Sequence, residues 1–133
     1  MKILKNGERF TGKDRDGKDY DWGIEDIPLD YDGIAAAGSM SGSGGMMVLD
    51  DSIEIPVALA NLMAFYSHES CGQCTPCRVG TEKAVKLMRA PVWDQALLGE
   101  LGQAMADASI CGLGQAASNP LRCVMQHFPE EIG

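Results

Sequence analysis

The sequence predicts a mainly α fold: a small antiparallel four-helix bundle preceded by a short β-containing N-terminal segment. Three observations predict it. The apolar pattern changes character at residue 52, from short runs broken by glycine to helical spacing that persists almost to the C-terminus. Pro56, Pro76 and Pro120 each stand where a proline opens a helix, at a first-turn position that needs no amide hydrogen. Apolar residues make up 45% of the chain but aromatics only 6%, so the core must be built from Leu, Ile, Val, Met and Ala, the residues of closely packed helices.

The elements follow in order. Residues 1–26 form an N-terminal extension. Lys2-Ile3-Leu4, Asn6-Gly7 and Arg9-Phe10 read as a hairpin, because Asn-Gly accepts the positive φ of a tight turn. Asp14, Asp16, Asp19 and Asp21 follow. A calcium loop needs a bidentate Glu at its end and a differently placed glycine, so these residues read as a solvated acidic turn. Residues 27–50 hold a glycine-rich turn, Gly38 to Gly45, then an apolar run, Met46 to Leu49, that reads as a buried strand. The turn lacks the Gly-Lys-Ser/Thr ending of a phosphate loop, and it precedes a strand where such a loop follows one.

Residues 51–133 are the helical domain. The first helix carries Leu59, Leu62, Met63 and Tyr66 on one face. The second opens near Pro76, runs through Val79, Val85 and Leu87, and stops at Pro91. The third starts at Asp94 and aligns Leu97, Leu98, Leu101, Met105 and Ala108. Ile110 to Ser118 reads as a loop. The fourth begins with Asn119 as cap and Pro120 at its first turn.

Charge and composition exclude several functions. A net charge of −8 opposes binding to a phosphate backbone, so no nucleic-acid partner is expected. No apolar run reaches membrane-spanning length. The first residues lack the pattern of a secretory signal. Five cysteines without an export signal fit a reducing, cytoplasmic setting, where clustered cysteines mean metal or redox chemistry.

Three of the five lie in Ser70-Cys71-Gly72-Gln73-Cys74-Thr75-Pro76-Cys77-Arg78. Three thiols need a fourth to close a metal site. On the last helix Leu121, Val124, Met125 and Phe128 share one face, and Cys123 points away from it with Arg122 and Gln126. Cys111 lies between Ile110 and the glycines Gly112 and Gly114, which let backbone approach a bulky inorganic group. Cys71, Cys74, Cys77 and Cys111 are therefore the expected ligands, with Cys123 a spare. Zinc favours two separated Cys-x-x-Cys pairs. A local run of three with one remote cysteine suits a [4Fe–4S] cubane, the run wrapping three corners and the remote thiolate the fourth. Pro76 would start a helix whose first N–H groups, with Arg78, offset the thiolate charge. A zinc-stabilised, non-redox interaction module is the alternative. A thiol–disulfide function and a cluster that serves only as a structural clip are further ones.

Ser67-His68-Glu69-Ser70 followed by Cys71 through Gly80 resembles the signature of the NADH-binding flavoprotein subunit of respiratory complex I. The same module occurs in the diaphorase subunits of NAD-reducing hydrogenases and NAD-dependent formate dehydrogenases. Ser109 through Gln115 is similar to that family's fourth-ligand loop, and Asn119 through Glu131 to its closing helix. Asp30-Tyr31-Asp32, Ala36 through Met40 and Gly42 through Gly45 resemble the segment just before, the end of a ubiquitin-like (SLBB) domain.

The resemblance implies an electron-transfer subunit or domain with one [4Fe–4S] cluster. It would relay single electrons between an FMN and NAD(H) site on a flavoprotein partner and further iron–sulfur subunits, because FMN splits a hydride's two electrons into single ones. Ser70, Gly72, Thr75, Arg78, Gly112 and Leu113 are candidates to surround the cofactor and set its solvent access and potential. The family's FMN and NADH regions have no counterpart in these residues. The chain is expected to complete a larger complex, as a split subunit or part of a longer one, and not to be catalytic alone. It is not itself membrane-embedded, though it could sit on the cytoplasmic side of a membrane complex.

Overall fold

A computed structural model describes residues 10–13, 17–22, 28–36, 40–45, 47, 49 and 52–132. Among these the chain is mainly α-helical. It divides into two compact units, Met1–Val48 and Leu49–Gly133.

In the first unit, β1 (Phe10–Lys13) pairs antiparallel with β2 (Asp19–Trp22), with Phe10 opposite Trp22 and Lys13 opposite Asp19. Gly17, at φ 78°, supplies the left-handed residue of the connection. Asp19 and Asp21 are exposed but belong to β2, so half of the expected acidic turn is strand. Asp14, Asp16 and the hairpin expected around Asn6-Gly7 lie outside the described residues.

Helix α1 (Tyr31–Ala36) was not expected. Its signal is Asp30, whose carboxylate accepts from the Gly33 N–H at 2.6 Å and whose carbonyl accepts from Ile34 N–H at 3.0 Å. The neighbouring glycines hid it. The buried strand expected at Met46–Leu49 is not found where the run is described: Met47 is 53% exposed and Leu49 39%. Met46 and Val48 lie outside the described residues.

The second unit holds α2 (Ile55–Glu69), α3 (Thr75–Met88), α4 (Gln95–Ala108), α5 (Gly112–Ala116) and α6 (Asn119–His127), then a single 3-10 turn at Pro129–Glu131. Helix α2 packs on α3, α3 on α4, α4 on α6, and α6 returns to α2. The core is the face each presents: Leu59 and Met63, Ala84 and Met88, Leu98 and Met105, Leu121 and Val124. Leu62 and Tyr66 of the expected α2 stripe are only half-buried.

Helix α3 departs most from its expected face. Val79 is 47% exposed, and the buried line is Cys77, Gly80, Thr81, Ala84, Val85 and Met88. Small residues dominate it because α3 is the central helix, approached by both α2 and α4. A Cβ on Gly80 would stand 2.7 Å from Met105 Sδ of α4, so only glycine permits that approach. The Thr81 hydroxyl donates to the Cys77 carbonyl at 2.8 Å and is satisfied inside its own helix. Buried Trp93 donates to the Met88 carbonyl at 2.8 Å, which satisfies an otherwise orphaned acceptor at the end of α3.

Helix α4 starts as expected at Asp94, whose carboxylate accepts from the Leu97 N–H at 3.0 Å. Losing such a cap costs about 1 kcal/mol. Asp94→Ala is expected to lower stability by about that much in urea unfolding, and Asp94→Ser to recover most of it. Ala108 of the expected α4 stripe is exposed, at the last turn. Ile110–Ser118, expected as a loop, contains α5. Its two glycines argued against a helix, but Ala117 N–H bonds Leu113 O at 3.0 Å and Gln115 N–H bonds Cys111 O at 3.2 Å. Helix α5 packs on both α3 and α4, and tertiary packing overrides weak propensity. No helix among the described residues is long and apolar enough to cross a membrane.

Candidate metal centre

Two helix starts and the turns before them carry the cysteines. Helix α2 ends at Ser70, the chain turns through Cys71 and Gly72, and Cys74 caps the start of α3. Gly72 sits at φ 78°, a conformation that an L side chain resists, so the run turns there. Pro76, where the helix was expected to open, lies in the first turn of α3, one residue inside its observed start at Thr75. Cys77 then lies in the helix, 4% exposed, as part of the core. Cys71 is exposed and Cys74 half-buried. Cys111 is exposed and caps α5, as Cys74 caps α3.

The loop between α2 and α3 is held by its own side chains. The Arg78 guanidinium donates to the Gly72 carbonyl through Nη1 and to Thr75 Oγ1 at 3.4 Å through Nη2. Ser70 Oγ accepts from the Gly72 N–H at 3.3 Å and meets Cys77 Sγ at 3.4 Å. Four of the six residues expected to surround a cofactor, Ser70, Gly72, Thr75 and Arg78, thus form one network around the cysteine run. Gly112 and Leu113 stand in the first turn of α5, Gly112 with open space around it.

The run and the Cys111 loop meet at Cys74. Its thiol is held below the ordinary range, first by the Ile110 N–H and next by the Cys77 N–H. Desolvation acts the other way, and the Ser109 hydroxyl and its own N–H add to the lowering. Gly114, whose backbone closes on both Ser109 and Cys77, places the cysteine run beside the segment around Cys111. Cys123 is half-buried on α6, on neither of those segments. Among the described residues, no three His, Cys, Asp or Glu side chains gather closely enough to hold a single ion.

Two more residues of the Cys111 loop complete the site: Ser109, expected only as part of the loop, and Gly114, expected only to let backbone approach. Ser109 is 5% exposed, and its hydroxyl has no hydrogen-bond partner among the described residues. Leaving such a group unsatisfied costs about 1–3 kcal/mol. Gly114 permits α5 to close down: a Cβ there would stand 2.6 Å from Ser109 Cβ and 2.9 Å from Cys77 Cβ. A serine before Ile-Cys and a second glycine after it were the only sequence signals for either role. A buried, unsatisfied hydroxyl between cysteine-bearing segments fits a sulfur-rich cofactor, whose sulfur atoms accept hydrogen bonds.

Comparisons with known proteins agree. Residues 57–133 match the family described as the NADH-ubiquinone oxidoreductase-F iron-sulfur binding region, NADH_4Fe-4S. The F-type subunit of NADH-quinone oxidoreductase from Rickettsia bellii (strain OSU 85-389) is 42% identical over 114 residues, which cover 81% of this chain and 27% of that protein. An F-type subunit of NADH-quinone oxidoreductase from Rhizobium meliloti (strain 1021) is 38% identical over 115 residues, 82% of this chain and 26% of the relative. The crystal structure of an NAD+-reducing [NiFe]-hydrogenase in the H2-reduced state superposes with a TM-score of 0.64 at 35% identity, over 73% of this chain and 18% of that one. The chain therefore spans about a quarter of the length of the curated relatives it matches. With its cysteine run, its second cysteine loop and the match over all of its helical unit from Val57 onward, the chain belongs to the family of [4Fe–4S] iron-sulfur binding regions of the NADH-ubiquinone oxidoreductase F type.

Proposed function

We propose that the chain is an electron-transfer subunit or domain whose single [4Fe–4S] cluster is held by Cys71, Cys74, Cys77 and Cys111. The observation that carries this reading is the close approach of Gly114, three residues after Cys111, to Cys77 and Ser109, which supports a site shared by the three-cysteine run and the loop of the fourth. A cluster bound there supplies a one-electron acceptor and donor. The protein's own residues do the rest. Cys77, buried in α3, anchors the site to the core. Arg78 and Ser70 fix the loop, and Arg78 adds positive charge beside the thiolates.

In this reading the electrons come from, or go to, an FMN and NAD(H) site on a flavoprotein partner, and pass to further iron–sulfur subunits. The complex is of the NAD-linked formate dehydrogenase, hydrogenase or complex I type, and cytoplasmic. The chain is one component of that oxidoreductase and needs the flavoprotein for turnover. The helices of residues 51–133 form the cluster domain as an antiparallel four-helix bundle to which α5 is added. Residues 27–50 are the remnant of a ubiquitin-like (SLBB) domain, and 1–26 an extension.

Iron and acid-labile sulfide analysis of an anaerobic preparation tests the assignment, with EPR before and after dithionite. The expected result is about four irons and matching sulfide per chain, with the signal of a reduced cubane. One zinc, no sulfide and no EPR signal would instead establish the non-redox zinc module.

A further inference from the structure

We propose that Ser109 is a positioning residue for the cluster: its buried hydroxyl donates a hydrogen bond to a sulfur of the bound cluster or its thiolate ligands, and so raises the reduction potential. The proposal rests on the [4Fe–4S] reading above and names a residue that neither the cysteine motif nor charge singles out.

Every other polar group of Ser109 is accounted for. Its N–H donates to Met105 O at 3.1 Å and closes α4. Its carbonyl accepts from Gln115 Nε2 at 3.0 Å. Only the hydroxyl has no partner at hydrogen-bond geometry among the described residues, and it is buried. The side chain has little freedom to turn elsewhere, because Gly114 closes on its Cβ from α5, and the same glycine touches the Cβ of Cys77. The hydroxyl is therefore held between α4 and α5, beside the helix turn that carries Cys77. Buried donors in native proteins find acceptors, and here the acceptor at hand is a thiolate. A hydrogen bond to a ligating sulfur stabilises the reduced, more negative cluster over the oxidised one, which sets the sign.

The experiment is an EPR-monitored redox titration of the reconstituted full chain with Ser109→Ala and Ser109→Thr beside the wild type, iron and sulfide being measured first. A wild type without about four irons and sulfides overturns the cluster reading itself, and the proposal with it. With the wild type loaded, Ser109→Ala is expected to shift the reduction equilibrium about tenfold against the reduced form, about 59 mV for one electron. Ser109→Thr keeps the hydroxyl and is expected to titrate close to the wild type. An unchanged potential in Ser109→Ala, or equal shifts in both variants, overturns the role of the hydroxyl. If Ser109→Ala fails to hold iron, Ser109→Thr decides: loading at the wild-type potential supports the hydroxyl, and failure of both shows that Ser109 only packs.

Discussion

Cys111→Ser is expected to abolish the cluster: iron and sulfide per chain fall well below the wild type, the brown absorption fades, and the reduced-cubane EPR signal disappears. The argument is one of ligand number. In the proposed site Cys71, Cys74 and Cys77 give three thiolates from a single turn and helix start, and the closing one must come from another segment. Gly114, three residues after Cys111, closes on Cys77, so the Cys111 loop is the segment at hand. Cys111 is also exposed. It caps α5 without a side-chain bond, and serine is a favoured cap, so loss of iron here reads ligation rather than folding. Cys77→Ser is less informative, because Cys77 is part of the core. Cys123→Ser is the control and is expected to keep about four irons. If instead Cys123→Ser loses the cluster and Cys111→Ser retains it, the ligand assignment is reversed.

Gly114→Ala is expected to destabilise the helical unit by about 1–3 kcal/mol, the usual cost of forcing an extra methyl into a packed site. The new Cβ would meet Ser109 Cβ at 2.6 Å and Cys77 Cβ at 2.9 Å. Both atoms are fixed directly to backbone, so no rotamer change relieves the contact. Helix α5 must move off α3, and the Cys111 loop moves with it. Gly99→Ala provides the contrast. Gly99 lies inside α4 with nothing within 4 Å of its added Cβ. Alanine there is expected to stabilise by about 0.5–1 kcal/mol, because it removes a glycine from a helix interior. Thermal melts of the two variants should move in opposite directions, by about 4–8 °C per kcal/mol for a unit of this size. A Gly114→Ala melting point equal to that of the wild type would show that α5 slides freely, and that the contact at Ser109 is not tight.

The long helices were legible because their signals are local: Pro56, Pro76 and Asp94 mark starts that the structure keeps within a residue. The spacing of Cys71, Cys74 and Cys77 marked them as candidate ligands, and the structure places them on one turn and helix start. The errors share a cause. Helix α5 is short and glycine-containing, and it persists by resting on α3 and α4. A contact so distant in sequence leaves no periodic trace. The exposed Val79 and the buried Gly80 and Thr81 show the same limit from the other side. On a helix packed between two others, small residues face inward and a valine can face out, so hydrophobicity alone assigns the wrong face. Ser109 was hidden because a lone serine carries no pattern. Only its burial without a partner distinguishes it.

The close approach of α3 and α4 at Gly80 and Met105 has a kinetic meaning. Cys74 stands at the start of α3, and α4 ends at Ser109, two residues before Cys111. The spacing between the two cysteine segments therefore rests on packed helices, α3 against α4 and α5, and not on the loops alone. A wall of this kind is already arranged before charge arrives and has little to rearrange afterwards. For a one-electron carrier that means a small reorganisation cost, so that the rate of handover depends chiefly on how near the next centre is brought.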